Sequence, residues 1–201
     1  IHFLNISTGL AIDAIQNAQK KGLKVSCSTS PHYFSLDETD IKKWRTFAKL
    51  SPPLRDKINL NCTKEGIVNN VITCITSDHS PHDTDSKRLP FEIALPGSIG
   101  FESLLPLTLN LIKEKKLSLL KLIELISTNP AKLLNLNAGS LKIGNNADIV
   151  LFDPNSKIKL SSELIKSKSK NFPYENKPAF GKIYLTMVDG KIIFKNGKFS
   201  I

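Results

Sequence analysis

The chain has 201 residues, 40% of them hydrophobic, enough for one domain and a small second one. Its formal net charge is +10, but the lysines are spread out. The clusters Lys113-Glu114-Lys115-Lys116 and Lys166-Ser167-Lys168-Ser169-Lys170 lack interleaved aromatics for base stacking, which argues against a nucleic-acid partner. No apolar run approaches the ~20 residues of a membrane span, and no signal peptide is visible. With Cys27, Cys62 and Cys74 odd in number and outside any CxxC pattern, the chain reads as cytoplasmic, with Cys27 and Cys74, in apolar runs, small buried hydrophobes.

In chain order, the pattern predicts three strand-then-helix units. His2-Phe3-Leu4-Asn5-Ile6 is a short strand, and Ser7-Thr8 caps a helix with Ile12, Ile15 and Ala18 on one face and Gly22 at its stop. Leu23 to Ser28 is a second strand, ending in the polar turn Thr29-Ser30-Pro31-His32. Leu36 to Lys43 holds a short acidic-to-basic helical segment. Leu50-Ser51-Pro52-Pro53-Leu54-Arg55 is a rigid loop, because its prolines fix φ. Lys64 to Asn70 is helical and Val71 to Thr76 is the third strand, followed by a long loop from Asp78 to Pro96. Helices follow at about Ile99 to Lys116 and Leu119 to Ser127, and a short one starts at Asn129-Pro130-Ala131.

The third strand carries the most chemistry. Its β-branched run is about the length of a buried parallel strand and ends in Thr76-Ser77-Asp78-His79-Ser80-Pro81-His82. The carboxyl ends of parallel strands are where α/β proteins place reacting groups. An Asp in such a position is often only a turn former or a helix cap. Ser80-Pro81, however, favours an extended bend that carries His82 to the side of Asp78.

Composition changes after Leu136. Ala147 to Asp153 is a strand, and Ile183 to Val188 and Lys191 to Lys195 are two more around the hairpin signal Asp189-Gly190. The expected architecture is therefore α/β. Residues 1–136 hold three βα units and following helices, which would make only part of any barrel, and residues 137–201 form a small β-sandwich-like module. Three βα units cannot close an eight-stranded barrel. The start at Ile1, inside an apolar run, reads as the cut edge of a larger protein.

Several segments together resemble the amidohydrolase superfamily, and more narrowly the dihydroorotases. They are Leu4-Asn5-Ile6-Ser7-Thr8, Ser30-Pro31-His32-Tyr33, Leu50 to Arg55, Thr76 to His82, Leu95-Pro96-Gly97-Ser98-Ile99-Gly100-Phe101-Glu102, Ser127 to Ala131 and Gly144 to Val150. The resemblance covers nearly the whole chain and corresponds to the C-terminal half of such an enzyme. It implies the C-terminal part of a (β/α)8 TIM-type barrel. The implied reaction is the zinc-assisted interconversion of N-carbamoyl-L-aspartate and dihydroorotate. Asp78 would ligate zinc and act as general base. Ser51, Arg55 and His82 would contact substrate, and the Pro96-Gly97 backbone would hold the edge of its ring. Arg55 is alternatively a structural clamp, His32 and His79 supporting histidines, and His2 an outward-facing one.

Two positions depart from the family pattern. Asn5 stands where the family has a metal-ligating histidine, and an amide is the poorer zinc ligand. Ser51 stands where the family has a substrate-binding Asn, and a hydroxyl has less hydrogen-bonding capacity. Further implied ligands for one or two zinc ions lie upstream of Ile1, so this chain alone is expected to be inactive. The resemblance also implies a homo-oligomer with a small-molecule substrate. The alternatives are a non-catalytic dihydroorotase-like subunit that scaffolds aspartate carbamoyltransferase, or a related hydantoinase or allantoinase.

Overall fold

The computed structural model describes residues 1–114 and 116–200. Three short strands, β1 (His2–Phe3), β2 (Ser26–Thr29) and β3 (Cys74–Ile75), form a parallel sheet in the order β1-β2-β3. The register pairs Phe3 with Cys27 and Thr29 with Ile75. The ladders are shorter than the apolar runs predict, with regular pairing confined to two to four residues of each strand. Single bonds prolong them, from Ile6 N–H to the Ser28 carbonyl and from Thr76 N–H to the Thr29 carbonyl, both 2.8 Å.

Helices link these strands, as parallel pairing requires. α1 (Gly9–Lys20) begins where the Thr8 hydroxyl accepts from Ala11 N–H, and it ends where Gly22 takes φ 77°. Its buried Ile12 and Ile15 pack with Cys27, Phe34, Ile67, Ile72, Ile75, Leu111 and Leu125. Each such aliphatic side chain contributes about 1.5–3 kcal/mol when fully buried. The polar turn after β2 becomes α2 (Pro31–Ser35), a short helix with proline in its first turn. The acidic-to-basic segment is a 3-10 turn at Glu38–Ile41, closed by reciprocal capping between Asp37 and Asp40. α3 (Lys57–Val68) starts earlier than the pattern predicts because Asp56 caps it, its carboxylate accepting from Asn59 N–H. The loop after Asp78 contains α4 (Thr84–Arg88), capped in the same way by Asp83.

α5 (Phe101–Lys113) covers most of the next predicted helix; Lys115, within that expectation, lies outside the described residues. α6 (Leu119–Ile123) continues through a π-helical turn at Glu124–Thr128 into α7 (Asn129–Leu133). That π turn ends two residues before Pro130, which has no N–H to donate.

The C-terminal strands β4 (Ile149–Lys159), β5 (Pro178–Val188), β6 (Lys191–Lys195) and β7 (Lys198–Phe199) make an antiparallel sheet in that order. Asp189 and Gly190 both take positive φ in the β5–β6 turn, as the sequence predicts. Asn196 and Gly197 do the same and add β7, an element the apolar pattern does not reveal. Among the described residues the module holds one sheet. The two regions share a core in which Leu36, Leu50, Leu54, Ile99 and Leu107 pack with Leu160, Ile165, Phe172, Tyr174 and Ala179. Among the described residues no helix is long and apolar enough to cross a membrane.

Candidate active site

The polar ends of β1 and β3 meet. Asn5 and Asp78 leave their strands in left-handed conformations, φ 55° and 48°, which Asn and Asp tolerate better than most residues. Their side chains then face each other, and Asn5 Nδ2–H donates to Asp78 Oδ1 at 2.9 Å. The Asn5 amide oxygen accepts from the Thr76 hydroxyl at 3.5 Å. Partial burial raises the Asp78 carboxyl pKa above its ordinary value, and the Asn5 hydrogen bond offsets part of that rise.

A second cluster forms around the Pro96–Gly97 turn. His82 Nε2 lies 2.9 Å from the Pro96 carbonyl oxygen. A carbonyl can only accept, so His82 Nε2 carries the proton there. Gly97 N–H donates to the Lys49 carbonyl at 2.8 Å. The Gly97 carbonyl accepts from buried Lys87 Nζ at 3.0 Å and from Asn171 Nδ2 at 3.2 Å. Gly97 has φ 135°, and a Cβ on it would lie 2.6 Å from His82 Nε2, so only glycine fits this approach. The polar backbone groups of Pro96–Gly97 therefore already have protein partners. The second lone pair of the Pro96 carbonyl remains for a ligand.

The other expected residues take different places. Arg55 Nε donates to the Ser7 hydroxyl at 3.4 Å, bridging its loop to the turn after Asn5. Ser51 is exposed at a cis Ser51–Pro52 bend, held from beneath by a 2.9 Å bond from the Tyr33 hydroxyl to the Pro52 carbonyl. His79 orients its loop. Its ring stacks on Phe101 with centroids 3.8 Å apart, and its Nδ1 accepts from Gly100 N–H. Gly100 is required there because a Cβ would collide with the Ser77 carbonyl oxygen. His2 pairs with the Ser26 hydroxyl at 2.7 Å.

His32 is fully buried. Its Nδ1 lies 2.5 Å from the Tyr174 hydroxyl, and the two rings stack 4° from parallel. Burial pulls its pKa down to about 4, against a smaller opposing pull from the Asp78 backbone, so this imidazole is neutral near pH 7. Its Nε2 has no hydrogen-bond partner. Tyr174, Asn171 and Lys87 belong to the site's surroundings but do not emerge from the sequence pattern. The only signal for the first two is the island Asn171-Phe172-Pro173-Tyr174, which interrupts a charged run.

Zinc needs several converging donors. Among the described residues no group of three or more His, Cys, Asp or Glu side chains could hold a metal. The Asn5 atom facing Asp78 is an N–H donor, which cannot ligate a cation. The residues present thus do not fit a zinc site by themselves.

Residues 58–193 match the amidohydrolase family. Among curated relatives, the dihydroorotase of Acetivibrio thermocellus is 39% identical over 97% of this chain and 46% of its own length. The dihydroorotase of Trichlorobacter lovleyi is 42% identical over 96% of this chain and 46% of its own length. Among solved structures, the L-hydantoinase (dihydropyrimidinase) of Arthrobacter aurescens superposes with a TM-score of 0.92 at 28% identity, over 100% of this chain and 46% of that one. The dihydropyrimidinase of Brevibacillus agri gives 0.93 at 27% identity, over 98% and 45%. The chain spans about half the length of the relatives it matches. With a parallel sheet whose strand ends converge on Asp78 and a family match over most of its length, the chain belongs to the amidohydrolase family.

Proposed function

We propose that this chain supplies the general base and part of the substrate-binding surface of a dihydroorotase-type cyclic amidohydrolase. The reaction would interconvert dihydroorotate and N-carbamoyl-L-aspartate in de novo pyrimidine synthesis. The observation that carries this reading is the half-buried Asp78 carboxylate at the β3 end, clasped by Asn5. In the hydrolytic direction, Asp78 accepts a proton as water adds to the ring carbonyl carbon. It then returns that proton to the ring nitrogen as the C–N bond breaks. Its raised pKa favours both transfers, because a base nearer the working pH also serves as an acid. His82 contacts the substrate beside the Pro96–Gly97 turn, and Arg55 and Ser51 meet its anionic and polar groups. Any zinc would need ligands beyond Asp78 that this chain does not carry, so these steps are drawn on its own residues.

The same reading assigns the parallel sheet to the last part of a (β/α)8 barrel, and residues 137–201 to a small β module built, among the described residues, on one sheet rather than the two of a sandwich. The assembly would be a cytoplasmic homo-oligomer. Identity of 39% and 42% to proteins named dihydroorotase, against 28% and 27% to the hydantoinase and dihydropyrimidinase structures, favours dihydroorotate over hydantoins. Nothing in these similarities supports a scaffold for aspartate carbamoyltransferase.

The test is a side-by-side assay of the complete polypeptide that contains this chain, with dihydroorotate, hydantoin and dihydrouracil. Turnover of dihydroorotate at least tenfold above the others in kcat/KM is the expected result. Preference for hydantoin or dihydrouracil would transfer the protein to the second group, and turnover of none would remove the enzymatic reading.

A further inference from the structure

We propose that Asn171 is a positioning residue that holds the His82 loop and the Pro96–Gly97 turn in one fixed arrangement; this rests on the site reading above. Asn171 is 2% exposed. Its Nδ2 donates to the Ser80 carbonyl at 2.9 Å and to the Gly97 carbonyl at 3.2 Å, while its Oδ1 accepts from His82 N–H at 3.3 Å. Its own carbonyl accepts from Ile99 N–H at 3.1 Å and from the Ser98 hydroxyl at 3.0 Å. One residue therefore bonds to both site loops, on either side of the contact between His82 Nε2 and the Pro96 carbonyl.

The chemistry selects asparagine. Two carbonyls need two donors and one N–H needs an acceptor, and a planar amide offers both. Aspartate would set a carboxylate against two carbonyl oxygens. Leucine would leave three buried polar groups without this partner, each of which is costly. The side chain is also delivered from a firm base, since Phe172 and Tyr174 on the same segment are buried in the shared core. None of the side-chain bonds stabilises the segment that carries Asn171. All of them go to residues 80, 82 and 97. Burial and satisfied bonding would serve stability alone equally well; this choice of targets distinguishes positioning from it.

The experiment has two arms. In the complete polypeptide, Asn171→Ala should raise KM for dihydroorotate about tenfold, with kcat within about threefold of the parent. Phe172→Leu loosens the same segment while keeping every hydrogen bond of Asn171 to the two loops, so it should lower the melting temperature and leave KM unchanged. A KM within about twofold of the parent in Asn171→Ala, or an equal rise in Phe172→Leu, would overturn the proposal. The second arm needs no activity. In the complete polypeptide, Asn171→Ala should speed hydrogen exchange at the His82 amide, which loses its acceptor, and at the Gly97 amide, whose turn loses a donor, while helix α1 keeps its protection. Unchanged exchange at those amides overturns the proposal as well. If the complete polypeptide turns over no cyclic amide, the functional reading fails while this arm still decides the coupling of the loops. Asn171→Asp keeps the side-chain size and the acceptor for His82. If it and Asn171→Ala both unfold the chain, Asn171 is a stability residue and the positioning role is wrong.

Discussion

The two sheets divide the work of this chain unequally. The parallel sheet has strands of two to four residues and a ladder that frays into single bonds, but its strand ends hold every member of the Asn5–Asp78 pair. The antiparallel sheet has two eleven-residue strands and tight hairpin turns, its long ladder interrupted by register shifts at Leu151/Phe152, Asp153/Lys157 and Thr186/Met187, but it presents Val150, Leu151, Val188 and Phe199 to solvent and contributes no side chain to the clusters around Asp78 and Pro96. Extensive pairing and chemistry are thus separated. A strand can end in a left-handed Asn or Asp only where the ladder stops, and there the side chain is free to turn toward its neighbour's end. The long sheet spends its polar backbone groups on its own pairing.

That contrast predicts that small backbone changes cost more beside the parallel sheet than in the hairpins. The largest effect should come from Gly100→Ala. Gly100 has an ordinary negative φ, so the penalty arises wholly from the collision of a new Cβ with the Ser77 carbonyl. A loss of about 3 kcal/mol in urea unfolding is expected. A loss below about 1 kcal/mol would show that the loop yields freely.

Next comes acid. His32 titrates near 6.5 in the unfolded chain and is held to about 4 by burial in the fold. Between these values the unfolded state binds a proton that the folded state refuses. Stability from this group is complete above pH 6.5 and is lost as pH falls toward 4. The loss is on the order of 3 kcal/mol at most. His32→Asn should flatten the dependence of the urea midpoint over this range. An equally steep profile in the variant would assign the acid lability to other groups.

The smallest effect belongs to the hairpins. Gly190 has φ 75° with nothing near its Cβ position, so Gly190→Ala should cost only the left-handed backbone penalty of about 1 kcal/mol. A cost as large as that of Gly100→Ala would erase the contrast between the sheets.

The same contrast explains what the sequence revealed. Hairpins are local, and Asp189-Gly190 announces one through the φ its turn requires. Capping is local too, and Thr8 and Gly22 mark the limits of α1. Asp78 stands out as a candidate because a buried run ends at it; the proline bend predicts His82 at its side, but His82 bonds at the Pro96–Gly97 turn, whose partners the local sequence does not encode. Asn171 was not legible, because its partners lie 91, 89 and 74 positions away and nothing near it in the chain encodes them. Lys87 was hidden for a related reason: a buried ammonium bonded to the carbonyls of Leu95 and Gly97 looks, in sequence, like any surface lysine on a short helix. The true start of α3 was missed because the Asp56 cap lies in a polar, turn-like stretch.

The central claim is that Asp78 is the base. Its most direct test is Asp78→Asn in the complete polypeptide, with dihydroorotate hydrolysis measured beside the parent and the fold checked by circular dichroism. Asparagine keeps the shape of the side chain and removes its ability to accept a proton from water. The account predicts a fall in kcat of roughly three orders of magnitude with an intact fold. A kcat within about tenfold of the parent would contradict it and require another base.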